Sequence, residues 1–401
     1  MTLTLAARMG RIKPSPTTAA SARASALIAQ GQDILALTTG EPDFDTPSHI
    51  QEAALEAMRA GQTRYTAVDG TVALKTAIQA KFARENNLNY ALNQIIAGTG
   101  AKQVIFNALM ATIGAGDEVI IPTPSWVSYP DIVKLAGGTP VFVECPAADG
   151  FMPTAATLAP LITPRTKAIM LNAPGNPSGG LFSRDELQAL GEMLADRPDI
   201  LVITDDIYEH IRFTDAPFLT LAEVCPELKE QVLTVNGVSK SFAMTGWRIG
   251  YGAGPAPLIA AMKTLQGQST TNPNAIAQAA AVAALNGPLD CVEMQRQAFQ
   301  RRRDAAVAHL SKVEGLEVTS PQGAFYLFLG LHGVIGKTTP QGDTLHSDGD
   351  VVEYLLTQGG VALVAGAGFG LSPYMRLSFA LADDALAEAC LRIERALADL
   401  S

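Results

Sequence analysis

Basic residues are scarce in this 401-residue chain: 29 Lys and Arg stand against 39 Asp and Glu, a formal net charge of −10. A chain with that balance is ill suited to a nucleic acid or an anionic membrane surface. The acidic excess is spread along the sequence, which reads as a soluble, self-repelling surface. Cysteine is scarce too. Cys145, Cys225, Cys291 and Cys390 form no CxxC pair, which excludes a disulfide-built scaffold and fits reduced thiols in the cytoplasm. The five histidines show no HxxxH or HExxH spacing, so no metal site is expected. No apolar run reaches the roughly 18 residues of a membrane span. No apolar stretch follows Arg8, Arg11 and Lys13, so no signal peptide is expected. Charged residues make up only 17% of the chain and hydrophobic ones 48%, too apolar for disorder. What remains is a cytoplasmic, metabolic globular protein of two or three packed units.

Short β-branched runs alternate with helical patterns through the middle of the chain. Strands are expected at Gln94–Ala97, Glu118–Ile121, Pro140–Glu144, Lys167–Asn172, Ile200–Asp205, Val232–Asn236 and Ile249–Ala253. Most are apolar on both faces, as strands covered by helices are. Helices at Ala101–Ile113 and Ser183–Ala195 lie between them, and Ser183 and Glu186 have capping-box spacing. This alternation predicts an α/β layer with a mostly parallel, seven-stranded sheet. Beyond Pro288 the order changes. A long helix is expected from Leu289 to about Val313, with Arg301–Arg302–Arg303 facing solvent. Strands at Gly323–Leu329, Val361–Val364 and Met375–Phe379 and a helix from Ala382 to Leu400 follow, the pattern of a smaller α+β unit. The first 45 residues are too short for a domain and are expected to join it. The predicted division is a large domain over 46–290 and a small one built from 1–45 and 291–401.

Ligands of open α/β sheets bind beyond the carboxyl ends of the strands, so reactive groups belong at the strand exits. Gly98-Thr99-Gly100-Ala101-Lys102-Gln103 leads into a helix N-terminus, where backbone N–H groups favour an anion; an ordinary tight turn reads equally well. Trp126 follows a strand end and can stack on a planar ligand or fill the core. Asn176 sits before a proline in the rigid turn Asn172–Gly180, expected to point its amide outward. Asp205 ends an apolar strand with no Lys or Arg beside it. A buried carboxylate needs a cationic partner, and a ligand cation is one option. His210 reads as a helix-side or surface residue without a role. Lys240 lies among small and apolar residues, eight positions before Arg248. Such a lysine can lose its proton near neutral pH and form a Schiff base. Arg376 lies inside an apolar strand and requires a carboxylate, structural or from a ligand. A lysine, a carboxylate for a pyridinium nitrogen, a phenol at Tyr208, a stacking ring and a phosphate cradle with an arginine are together what pyridoxal phosphate requires.

The strings GEPDFDTP from Gly40, GTGAKQ, WVSYP, NPSG, DDIYEH and SKSFAMTGWRIGY follow in this order over nearly the whole chain. They resemble class I aminotransferases of pyridoxal-phosphate fold type I, in the bacterial aspartate aminotransferase branch that includes prephenate-accepting enzymes. The resemblance implies that Lys240 is the Schiff-base lysine, that Asp205 pairs with the pyridine nitrogen of pyridoxal 5'-phosphate, and that Tyr208 donates to its ring hydroxyl. Asn176 would lie near that hydroxyl and the substrate carboxylate, and Trp126 would stack on the ring. Gly100, Ala101, Ser239 and Arg248 would cradle the phosphate, with Lys102 beside them. Tyr65 would reach the phosphate of a partner subunit, which implies a homodimer with shared sites. Gly40 and Arg376 would bind the substrate α-carboxylate, and Lys13 or Lys102 a distal carboxylate. The implied activity is ping-pong transfer of an amino group between aspartate or glutamate and a 2-oxo acid such as 2-oxoglutarate, oxaloacetate or prephenate. A carbon–sulfur lyase and a non-catalytic regulator on this fold remain alternatives. Three positions depart from the family: Ala101 where many relatives have glycine, Gly237 where many have serine, and Ser125 where an aromatic residue is common. The last is expected to widen the wall beside Trp126.

Overall fold

The computed structural model describes residues 3–401. In chain order its strands are β1 (Leu35–Ala36), β2 (Ile95–Gly98), β3 (Glu118–Thr123), β4 (Thr139–Glu144), β5 (Thr166–Asn172), β6 (Leu201–Asp205), β7 (Val232–Gly237), β8 (Gly250–Ala253), β9 (Glu317–Val318), β10 (Tyr326–Gly330), β11 (Val361–Ala362), β12 (Val364–Ala365) and β13 (Tyr374–Ser378). The large sheet has the order β2-β8-β7-β6-β5-β3-β4. Strand β8 runs antiparallel to both its neighbours, and the remaining pairs are parallel. These are the seven strands expected from the sequence, with ends moved by a residue or two. Consecutive residues feed opposite cores: Ile95, Ile120 and Val202 pack on one side, and Ile96, Ile121 and Ile203 on the other. Two covered faces explain why these strands are apolar throughout.

Register gathers the strand exits. Asn172 pairs with Asp205, and Asp205 with Val235. Gly250 of β8 stands between Gly98 and Gly237. Ser183 caps the helix Arg184–Leu194 by the expected capping box: its Oγ accepts from Glu186 N, and Glu186 Oε2 accepts from Ser183 N at 2.7 Å.

A four-stranded antiparallel sheet, β12-β13-β10-β9, forms the second layer. Its core joins Phe299, Leu327, Leu355, Leu377 and Ile393. The N-terminal segment reaches it through β1, which pairs in parallel with β11, and through Ala24 and Leu27, which pack on Leu356 and Ala362. The single strand expected at Val361–Val364 is two, because the chain changes partner at Leu363: β11 pairs with β1 and β12 with β13.

The basic stretch on the helix Asp290–Leu310 does not all face solvent. Arg302 is buried; it forks onto Asp43 at 2.7 and 2.9 Å, reaches Asp383 at 2.6 Å, and lies over the Phe44 and Phe299 rings. Those acids lie far off in the sequence, so the local pattern gave no sign of them. Among the described residues no single helix is long and apolar enough to cross a membrane.

Candidate active site

The strand exits open on one cavity of about 280 Å³, lined by Gly40, Ala101, Lys102, Trp126, Asn176, Asp205, Tyr208, Ser239, Lys240, Arg248 and Arg376 among others. Lys240 follows β7, and its Nζ donates to the Gly40 carbonyl at 2.6 Å. Burial, and then the charge of Arg248, lower its pKa to about 8. A substantial share of this amine is therefore neutral and nucleophilic near physiological pH.

Asp205 ends β6 and is 5% exposed. Its Oδ2 accepts from the Tyr129 hydroxyl at 2.7 Å, while Oδ1 has no partner. Burial pushes its carboxyl up to about 6. The expected cationic partner is not a paired Lys or Arg among the described residues, so the orphaned oxygen suits a charged N–H donor on a ligand. Tyr208 shares a 2.9 Å hydrogen bond with Tyr326 of β10. Burial pushes both phenols up, so they stay neutral and can donate.

The helix Ala101–Thr112 starts without a side-chain cap, leaving first-turn N–H groups for an anion. A Cβ on Gly250 would lie 2.0 Å from Ala101 N, so β8 reaches this helix start only as glycine. A Cβ on Gly100 would lie 2.4 Å from Arg248 Nη2, which puts the guanidinium against the same turn. Trp126 meets Tyr129 edge to face at 5.3 Å, and Lys102 Nζ lies 4.8 Å from its ring centre.

Arg376 is 2% exposed. It donates to Asn176 Oδ1 at 3.0 Å and to the Thr38 carbonyl at 2.5 Å, lies 4.4 Å from the Tyr326 ring centre, and has an unpartnered Nε. No carboxylate among the described residues pairs with it, so the structural acid that would neutralise it is absent and a ligand carboxylate fits. Asn176 is itself buried. Its amide oxygen is turned to Arg376 rather than outward, because that buried guanidinium needs an acceptor. A Cβ on Gly40 would lie 2.4 Å from the Tyr326 hydroxyl, which explains a glycine there.

Three expected residues do not line the cavity: Lys13, Tyr65 and Gly100, whose turn abuts Arg248. Lys13 is exposed and does not line it. Tyr65 is 90% exposed and lines a separate open groove with Thr63, Arg64 and Asn272. Ser125 faces an adjoining cavity of about 30 Å³ with Phe151 and Met152, so any room it gives is there, not in the main wall beside Trp126. Thr17, Tyr129, Asn172 and Tyr326 line the main cavity without having been singled out. Tyr129 stood in the same string as Trp126, whereas Tyr326 lies in an apolar strand that reads as core.

A lysine, an orphaned buried carboxylate, two phenols and an open helix N-terminus on a mostly parallel sheet are the features expected of a fold type I aminotransferase. The family profile of class I and II aminotransferases matches residues 32–393, and the chain belongs to that family. It is 51% identical over 393 residues to the aspartate/prephenate aminotransferase of Cereibacter sphaeroides (strain ATCC 17029 / ATH 2.4.9), covering 98% of each chain. The crystal structure of the aspartate aminotransferase from Rhizobium meliloti superposes with a TM-score of 0.97 at 48% identity over all of both chains. The aspartate aminotransferase from Thermus thermophilus with maleate gives 0.92 at 40% identity, over 98% of this chain and 100% of that one.

Proposed function

We propose that the protein transfers amino groups between a dicarboxylic amino acid, with aspartate and glutamate as donors, and a 2-oxo acid, with prephenate among the acceptors, using pyridoxal 5'-phosphate. The observation that carries this is Asp205 Oδ1, buried and unpartnered, on a residue that lines the same cavity as Lys240. Bound there, the cofactor supplies a carbonyl for the substrate amine and a ring that accepts electrons. Asp205 serves its ring nitrogen, Tyr208 and Asn176 its ring oxygen, and Trp126 its face. Gly100, Ala101, Ser239 and Arg248 serve its phosphate. Arg376 and Gly40 hold the substrate α-carboxylate, and the fork of Arg376 orients the Cα–H bond. Lys240 Nζ takes the substrate Cα proton as general base and, as general acid, hands it to the bound cofactor rather than back to Cα.

Lys102 is favoured over Lys13 for a distal carboxylate, since Lys102 lines the cavity and Lys13 does not. The separate four-stranded sheet, with the N-terminal segment joined to the C-terminal one through β1 and β11, supports a division into a large domain over 46–290 and a small one from 1–45 and 291–401. Tyr65, exposed away from its own cavity, supports a homodimer in which it serves the partner's site.

The direct test is matched turnover of oxaloacetate and prephenate with glutamate as donor, repeated with Lys102→Ala and Lys13→Ala. The expected result is activity on both acceptors, with KM for each raised about tenfold or more by Lys102→Ala and less by Lys13→Ala. Pyruvate and ammonia released from cystathionine without an acceptor, in place of amino transfer, would make the protein a lyase instead.

A further inference from the structure

Behind the cavity lies a buried charged network that the proposed chemistry does not use. Lys81, on the helix Val72–Asn86, is 1% exposed; its Nζ pairs with Glu209, lies 3.6 Å from Glu85 and donates to Asn86 Oδ1 at 2.6 Å. Glu209 also accepts from Asn86 Nδ2 at 2.9 Å and from Asn236 Nδ2 at 2.8 Å. Asn236 Oδ1 takes the N–H of Gly237 at 2.7 Å. His210 Nε2 meets Glu85 at 3.0 Å, and its Nδ1 meets the Ser241 hydroxyl at 2.9 Å. Glu85, Glu209 and His210 bring ligand atoms within 4.8 Å of one another, a spacing suited to a metal ion. The Lys81 ammonium already sits against both carboxylates and supplies that charge.

The network's position gives it a use. Glu209 and His210 directly follow Tyr208 on the turn that leaves β6. Asn236 and Ser241 bracket the turn that carries Lys240. None of these four side chains lines the cavity. The two turns that face the reacting groups are therefore tied together from behind, through groups too costly to leave unpaired. We propose that His210, oriented by Glu85, is a positioning residue that sets the Lys240 turn through Ser241, with Lys81 as the central cation of the network. This rests on Lys240 being the proton-transfer residue.

The test compares the wild-type holoenzyme with Ser241→Ala and with His210→Ala, His210→Asn and His210→Gln. An asparagine amide falls where Nδ1 stood and keeps the Ser241 bond; a glutamine amide falls where Nε2 stood and keeps the Glu85 bond. Expected are a kcat about tenfold lower in His210→Ala and Ser241→Ala, with KM within about twofold, and recovery in His210→Asn but not in His210→Gln. The pH midpoint of the lysine-bound cofactor's absorbance and the rate at which cofactor-free protein takes up pyridoxal phosphate should follow the same order. Wild-type kcat, midpoint and uptake in both alanine variants, or losses matched by the folded fraction in urea, would overturn the proposal. Failure of the underlying reading would show separately, as amino transfer surviving in Lys240→Ala.

Discussion

Asp205 costs the cofactor-free protein stability. Its carboxyl titrates near 6 in the fold against an ordinary 3.8, chiefly because it is buried. The folded state thus holds this proton more tightly than the unfolded chain. The group is least costly below about pH 4, and stability falls as pH rises through 6. Asp205→Asn should remove that slope and stabilise the cofactor-free protein at pH 7 by up to about 3 kcal/mol. Urea unfolding at pH 5 and pH 7 checks this, and an unchanged difference between the two would contradict it. Residues of this kind were legible in the sequence because a charge among apolar residues breaks the pattern: Asp205 at a strand end, Lys240 in a turn of small and apolar residues and Arg376 inside a strand all stand out so. Tyr326 did not, since a tyrosine in an apolar strand looks like core until its hydroxyl is seen on Tyr208. The partners of His210 were not legible, because its acidic partner, Glu85, lies on a helix distant in sequence.

At the scale of elements, the proposed phosphate cradle depends on how closely β8 meets the helix Ala101–Thr112. A Cβ on Gly250 would lie 2.0 Å from Ala101 N and 2.4 Å from Gly100 C. These are backbone atoms that cannot swing aside, so the helix start itself must shift. Gly250→Ala should therefore cost about 1–3 kcal/mol in urea unfolding and also raise the Kd for pyridoxal phosphate. Loss of stability with an unchanged Kd would separate the cradle from this contact. The sheet was readable because double-sided burial leaves continuous apolar runs. The helix Val72–Asn86 was not, because its buried face includes Lys81 and Asn86, which interrupt the apolar period.

For the molecule as a whole, the charge balance reverses locally. The chain carries −10, yet its cavity is lined by Lys102, Lys240, Arg248 and Arg376 against the single carboxylate of Asp205. A cavity of that sign concentrates anionic substrates within an acidic, self-repelling protein. Composition alone showed only the global half of this, because the four cations come from three distant segments, at Lys102, at Lys240 and Arg248, and at Arg376, and meet only on folding. The exposed Tyr65 gives a prediction at the same scale: sedimentation should show a dimer, and Tyr65→Phe should keep it while raising the Kd for pyridoxal phosphate. An unaltered Kd would remove the shared-site reading. The most direct test of the whole account is Lys240→Ala, followed by glutamate–oxaloacetate amino transfer and the absorbance of lysine-bound cofactor in the same sample. The account predicts a folded protein that has lost both. Amino transfer persisting near the wild-type rate would contradict it.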